Sequence, residues 1–149
     1  MNRGGRDIFL RVYELDGRVR YTKQFGSDGD DIAIAQRVSP DGSVYVVGNT
    51  KGNIVGISQG QEDIFLRIFN DDGSVLVTRQ FGSPQNDIVS GLVVDQEGNA
   101  YLGGRTGGSL VGTNRGLNDG FLRVYDSSGS VVITKQFGSE GDDVVTEVK

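Results

Sequence analysis

A 25-residue stretch that occurs three times at fixed spacing constrains this chain more than any other feature. Residues 7–31 read DIFLRVYELDGRVRYTKQFGSDGDD, residues 63–87 read DIFLRIFNDDGSVLVTRQFGSPQND, and residues 119–143 read DGFLRVYDSSGSVVITKQFGSEGDD. The copies begin at Asp7, Asp63 and Asp119, a constant period of 56 residues. A fixed period of this order marks a repeat architecture, whose units cannot bury their apolar faces alone and must stack on neighbours. The chain divides into repeat units 7–62 and 63–118 and an incomplete unit 119–149, within a single segment, 1–149.

Each period reads as four short strands joined by three tight links and one longer one. In residues 8–13, Phe9 and Tyr13 fall on one face and Ile8, Leu10 and Val12 on the other, which is strand periodicity with two apolar faces. Asp16-Gly17 signals a hairpin, 19–25 returns, 26–31 is a loop, 32–39 is a strand, Pro40-Asp41-Gly42 turns the chain and 43–47 returns. Residues 49–62 form the long connection. The second unit repeats the cycle, with strands at 88–94 and 100–103 and a connection at 105–118. The third places strands at 121–125, 131–137 and 144–148. The 24 glycines and 2 prolines suit a turn-rich chain, and no window carries helical periodicity.

Four strands in each period make the pattern of a propeller blade. A parallel β-helix needs shorter coils without hairpins, and an immunoglobulin-like sandwich does not repeat itself this closely. The expected fold is all-β, a β-propeller of four-stranded antiparallel blades with about 2.7 blades per chain. Phe9, Leu10, Val12, Phe25, Phe65, Leu66, Phe81, Leu92, Val94, Phe121, Leu122 and Phe137 are expected to lie buried between blades.

The pattern D-x-F-L-R-V-Y-D-x-x-G-x-V-x-x-T-K-Q-F-G-S-x-G-D-D, with V-x-D-x-x-G-N-x-Y-x-x-G-x-T and G-S-L-x-G between copies, resembles the SBBP β-propeller repeat of bacterial surface and secreted proteins. The resemblance implies a blade phase: IVSGLVVD innermost, NAYLGG second, DGFLRVY third and VVITKQF outermost. It also implies an extracellular or cell-surface setting, and it carries no common activity. In that phase the chain holds two full blades, about residues 31–82 and 87–138, with an outer pair before them and a lone inner strand after them. A hybrid blade built from the two ends would lack its second strand. Exposed strand edges recruit other chains. The expectation is therefore a homo-oligomer, favoured as a dimer with a ring of about six blades, or a piece of a longer propeller.

The net charge of −5 and the lack of a basic cluster argue against nucleic acid, whose phosphates need a basic surface. The absence of Cys and His removes thiol chemistry, disulfides, imidazole acid–base work and a Ser–His–Asp arrangement. No apolar run is long enough to span a membrane, and the start MNRGGRD lacks the apolar core of a signal peptide.

Links alternate between the two ends of a blade, so the outer-to-inner loops share an end with the long connections, the better place for function. That end is acidic: Asp28, Asp30 and Asp31; Asn86 and Asp87; Glu140, Asp142 and Asp143. Calcium takes six to eight such oxygens, which makes Asp28, Asp30, Asp31, Asp87, Asp142 and Asp143 the candidate metal ligands. No other cofactor is expected. The structural reading is that Asp31, Asp87 and Asp143 cap their turns by accepting backbone N–H bonds. Arg11, Arg67 and Arg123 recur at one position and need partners if buried; the repeated aspartates are the nearest candidates. Lys23, Arg79 and Lys135 suit a solvated face, and Gln24, Gln80 and Gln136 suit bonds to an adjacent blade's backbone. A carboxylate pair copied from blade to blade speaks against catalysis. The expected function is a non-catalytic binding or scaffolding module. A calcium- or glycan-binding, lectin-like propeller is the alternative, weakened for sugars by the absence of Trp.

Overall fold

A computed structural model describes residues 4–149. Every regular element in it is a strand: β1 (Ile8–Tyr13), β2 (Val19–Phe25), β3 (Asp31–Val38), β4 (Val44–Thr50), β5 (Asp63–Phe69), β6 (Val75–Phe81), β7 (Asp87–Val94), β8 (Ala100–Thr106), β9 (Asp119–Tyr125) and β10 (Val131–Phe137). They form a two-stranded sheet, β1-β2, and two four-stranded sheets, β3-β4-β5-β6 and β7-β8-β9-β10, all antiparallel. Strand order follows chain order, as the blade phase requires.

The hairpins form where the sequence places them. Gly17, Gly42, Gly73, Gly98 and Gly129 all take φ between 76° and 85°, a left-handed conformation that a Cβ disfavours. In three of the turns the aspartate just before the glycine accepts the N–H of the residue just after it: Asp16 from Arg18, Asp41 from Ser43 and Asp72 from Ser74; at Gly129 it is Asp126 that accepts, from both Ser128 and Ser130. Such side-chain bonds mimic a backbone turn.

Strands β4 and β8 run longer than their apolar patterns suggest, through Asn49-Thr50 and Arg105-Thr106. Thr50 and Thr106 pair opposite Asp63 and Asp119, so the ladder continues across polar residues and the long connections shorten to 51–62 and 107–118.

Blades stack face to face. Tyr45, Val47, Ile64, Leu66 and Ile68 on one face of the first blade meet Val89, Leu92, Ala100, Leu102, Phe121 and Tyr125 of the second. The opposite face of the first blade, with Val44, Val46, Phe65 and Phe69, packs on Ile8 and Phe25 of the β1-β2 hairpin. The phenylalanines that end β2 and β6 cross to the next blade. Phe25 lies edge-on to Phe65 at 6.0 Å and tilted on Phe69 at 5.7 Å. Phe81 repeats this with Phe121 at 6.0 Å and Tyr125 at 6.2 Å.

Three expectations need correction. Phe9 is 61% exposed and Phe137 50% exposed, because the blades that would cover them are not among the described residues. Leu10, Val12, Val94 and Leu122 are half-buried; Leu10 and Val12 pack against the cluster around Phe25, and Val94 against the core between the two full blades. Residues 144–148 form no strand. They lie on the second blade, where Val145 N–H donates to Gly104 O at 3.1 Å and a side chain at Gly103 would meet Val145 and Val148. The described residues hold no strand beside them to complete a ladder. Seven-residue strands in four-stranded sheets, by contrast, give β3 and β7 such a partner in β4 and β8.

The interblade core sets the stability. Phe121 is fully buried, so Phe121→Ala should cost about 3–5 kcal/mol, read as a lower urea midpoint. Ile57→Ala, at a position 79% exposed, should move the midpoint little. Equal midpoints for the two variants would contradict this packing.

Candidate functional site

The feature repeated most faithfully at the long-connection end is a polar network around two aspartates per unit. In the second unit, Asp87 opens β7 and is fully buried. Its carboxylate accepts the Ser83 N–H at 2.5 Å and the Ser83 hydroxyl at 3.0 Å. Asp31 holds Ser27 in the same way, at 2.5 and 3.0 Å, and Asp143 holds Ser139 at 2.7 and 2.9 Å. Each carboxylate thus closes the outer-to-inner link, and at Ser27 and Ser83 it satisfies donors that burial would otherwise orphan. The amides of Asp31, Asp87 and Asp143 in turn donate to the carbonyls of Arg6, Glu62 and Asn118 at 2.8–2.9 Å, which ties each new inner strand to the preceding connection.

The second aspartate opens the third strand. Asp63 Oδ2 accepts the Gln59 N–H at 2.8 Å and the Gln80 side-chain amide at 2.9 Å. Asp119 is held by Arg115 N–H and by Gln136 at 2.9 Å. Gln80 also donates to Gly52 O at 2.9 Å while its Oε1 accepts Ile54 N–H at 2.9 Å; Gln136 repeats both bonds with Gly108 and Leu110. These glutamines therefore clamp the long connection of their own blade, not the backbone of an adjacent one. The connection packs back over β6 and β10, which its polar sequence does not announce.

The two aspartates of a unit face each other across a glycine. A side chain begun at Gly82 would meet Asp63 Oδ1 at 2.3 Å and Asp87 Oδ2 at 2.8 Å, and Gly26 and Gly138 sit likewise between Asp7 and Asp31 and between Asp119 and Asp143. Asp63 Oδ1 is buried with no hydrogen-bond partner. Burial, opposed by the Ser83 and Thr106 bonds and assisted by the charge of Asp63, pushes the Asp87 carboxyl above the usual range.

The six candidate metal ligands fall in three separate links. Asp30 Oδ1 accepts Arg6 N–H at 3.0 Å, and Asp142 Oδ1 accepts the Asn118 amide at 2.7 Å. Asp28 lies beside Gly52, and Asp31, Asp87 and Asp143 cap their turns as described. Among the described residues no three His, Cys, Asp or Glu side chains converge to hold a metal ion.

The recurring arginines rest on aromatic rings. Arg67 lies 4.4 Å from the Phe25 ring centre and Arg123 4.3 Å from that of Phe81, each covering the phenylalanine that the preceding blade sends across. Arg11 and Arg67 hold their orientation through Nε–H bonds to Thr22 and Thr78 at 3.0 and 2.8 Å. Sequence reasoning looked for an aspartate and missed the ring, since the two partners belong to different blades. The recurrence of Arg two residues after Phe on a strand was the available signal. Arg79 is also not simply solvated: its Nε donates to Gly129 O of the next blade at 2.7 Å.

Sheet order, stacking and the 56-residue period define a run of β-propeller blades. The sequence signature of SBBP, a β-propeller repeat, matches residues 78–110, from within β6 through β7 and β8 into the following connection, and supports the resemblance seen in the sequence. The regulatory protein FlaEY of Caulobacter vibrioides is 28% identical over 156 residues, covering 96% of this chain and 15% of that protein. The chain therefore spans a small part of the length of this relative.

The Asp87 carboxyl yields a pH test. A carboxyl raised on folding from its ordinary 3.8 contributes stability that is complete below that value and fades as pH rises through the folded pKa. Asp41, Asp72, Asp126 and Asp143 are lowered, chiefly by bonds to serine hydroxyls or, for Asp143, to the Ser139 N–H, so their contributions have the opposite sign. Asp87→Asn removes only the first effect. The stability of wild type relative to Asp87→Asn, from urea unfolding, should fall as pH rises above the ordinary carboxyl value of 3.8. A difference constant with pH would show that Asp87 is not the raised group.

Proposed function

We propose that the chain is a non-catalytic β-propeller repeat module for binding or scaffolding that assembles through its open blade edges, with a dimer as the favoured state. The observation that carries this reading is the state of β1. Strands β5 and β9, its counterparts, each pair on both sides, whereas β1 pairs with β2 alone among the described residues. Beside its free edge lies a cleft of about 440 Å³ whose lining includes Phe9, Val12, Val38 and Val44. A free edge above apolar side chains is a template for another strand.

The non-catalytic part is supported by the polar network. Its carboxylates are repeated from unit to unit, and most of their oxygens accept bonds from the link and the connection. The SBBP resemblance supports a surface or secreted setting, and contact-mediated regulation would agree with the name of the FlaEY relative. Calcium binding is a second reading, favoured by the partnerless Asp63 Oδ1 facing Asp87.

Light scattering at micromolar concentration tests the assembly reading. It should give a mass above the 16.0 kDa of one chain, and a folded, monodisperse species of single-chain mass would overturn it. Calcium at millimolar concentration should leave the unfolding midpoint unchanged; a rise would favour the second reading.

A further inference from the structure

The two ends of the blade stack carry the unmatched halves of a contact that the chain makes twice inside itself. Phe25 enters between Phe65 and Phe69 under Arg67, and Phe81 enters between Phe121 and Tyr125 under Arg123. One period further on, the entering residue is Phe137, 50% exposed. One period back, the receiving pair is Phe9 and Tyr13, 61% and 56% exposed, with Arg11 between them. We infer that the chain docks head to tail on a second copy of itself, Phe137 of one copy entering between Phe9 and Tyr13 of the next, with Arg11 of that copy over its ring.

The receiving side is already set. Arg11 donates to Thr22 as Arg67 does to Thr78, so the guanidinium is oriented before any partner arrives. Until then it lies 5.1 Å from the ring centre of its own Phe9.

Two further positions around the hairpin tips agree. Tyr21 covers Gly73 and Val77 covers Gly129, each within 2.8 Å of where a glycine side chain would begin. The next member of that series is Ile133, 39% exposed, and the open turn is Gly17, with nothing within 4 Å. Where Arg20 of β2 meets Asp71 across the first interface, the corresponding end-to-end pair is Val132 and Leu15, both exposed and both apolar. Two exposed apolar groups at matching positions are what a shared interface would bury. A surface that receives at one end and enters at the other is heterologous, so it propagates or closes into a ring.

This inference rests on the self-assembly reading but places the contact on blade faces and not on strand edges. Three chains test it: wild type, Phe137→Ala, and Phe9→Ala with Tyr13→Ala. All the changed residues are half exposed or more, and far-ultraviolet circular dichroism checks that the strands persist. Sedimentation should show each variant alone losing self-association by at least ~10-fold. Their equimolar mixture should form a 1:1 complex at least ~10-fold tighter than either variant with itself, because each supplies the half the other lacks. Leu15→Asp, at a fully exposed turn position, should weaken wild-type association without touching the fold. A wild type that stays monomeric overturns this inference together with the assembly reading. An oligomeric wild type whose variants associate just as well, or a mixture that does not associate, overturns the face contact alone and leaves edge assembly standing.

Discussion

A single phenylalanine at the end of β2 and of β6, thrown across to the next blade, is the contact on which the stack depends. Phe81 is the last residue of β6, and the chain then needs only the short link through Ser83 to reach Asp87, the first residue of β7. The ring that joins two blades and the covalent link that joins them lie at one place. Closing a short loop costs little entropy, so the aromatic contact forms between segments that the chain already holds close together. Asp87 then fixes Ser83 through its carboxylate and the preceding connection through its amide. Each blade thus starts from a point set by the one before it, which explains how units of identical plan keep one spacing.

Two kinds of charged group line this path, and they meet different partners. The carboxylates of Asp31 and Asp87 take neutral donors from within five residues, the N–H and hydroxyl of a serine. The guanidinium of Arg123 takes the face of a ring from the neighbouring blade, an arrangement worth more when desolvated than at an exposed site. Local donors stiffen a link, whereas the ring contact orders one blade against another. The ion pairs of Arg18 with Asp16 and of Arg20 with Glu14 lie at exposed hairpin ends, where such pairs contribute little.

What could be read from the sequence follows the same division. The period, the hairpin glycines and the strand faces are local, and the turns at Gly17, Gly42, Gly73, Gly98 and Gly129 stand where Asp-Gly and related dipeptides put them. The turn-capping aspartates were legible too, because donor and acceptor lie in one link. The seat of Arg67 on Phe25 and the clamp of Gln80 on the connection were not, since each joins segments that no spacing rule relates. Phe9 and Phe137 show the limit from the other side. Their local sequence matches that of Phe65 and Phe81 almost residue for residue, yet they are exposed, because burial is a property of the neighbour and not of the strand.

That last point bears on how stability accumulates in such a chain. In a stack where each unit touches only its neighbours, the free energy is a sum of unit terms and interface terms. The unit terms here are small, since a four-stranded sheet with two apolar faces gains little until both are covered. The interface term recurs in nearly the same residues, as the near-identical 6.0 Å contacts of Phe25 with Phe65 and of Phe81 with Phe121 show. An open stack has one interface fewer than it has blades, and its end faces bear the whole deficit. Any partner that supplies another copy of this interface would stabilise the chain without requiring a new kind of contact. Phe9, Tyr13 and Phe137 carry the same contact-forming rings as their buried counterparts, on faces that have no neighbouring blade among the described residues.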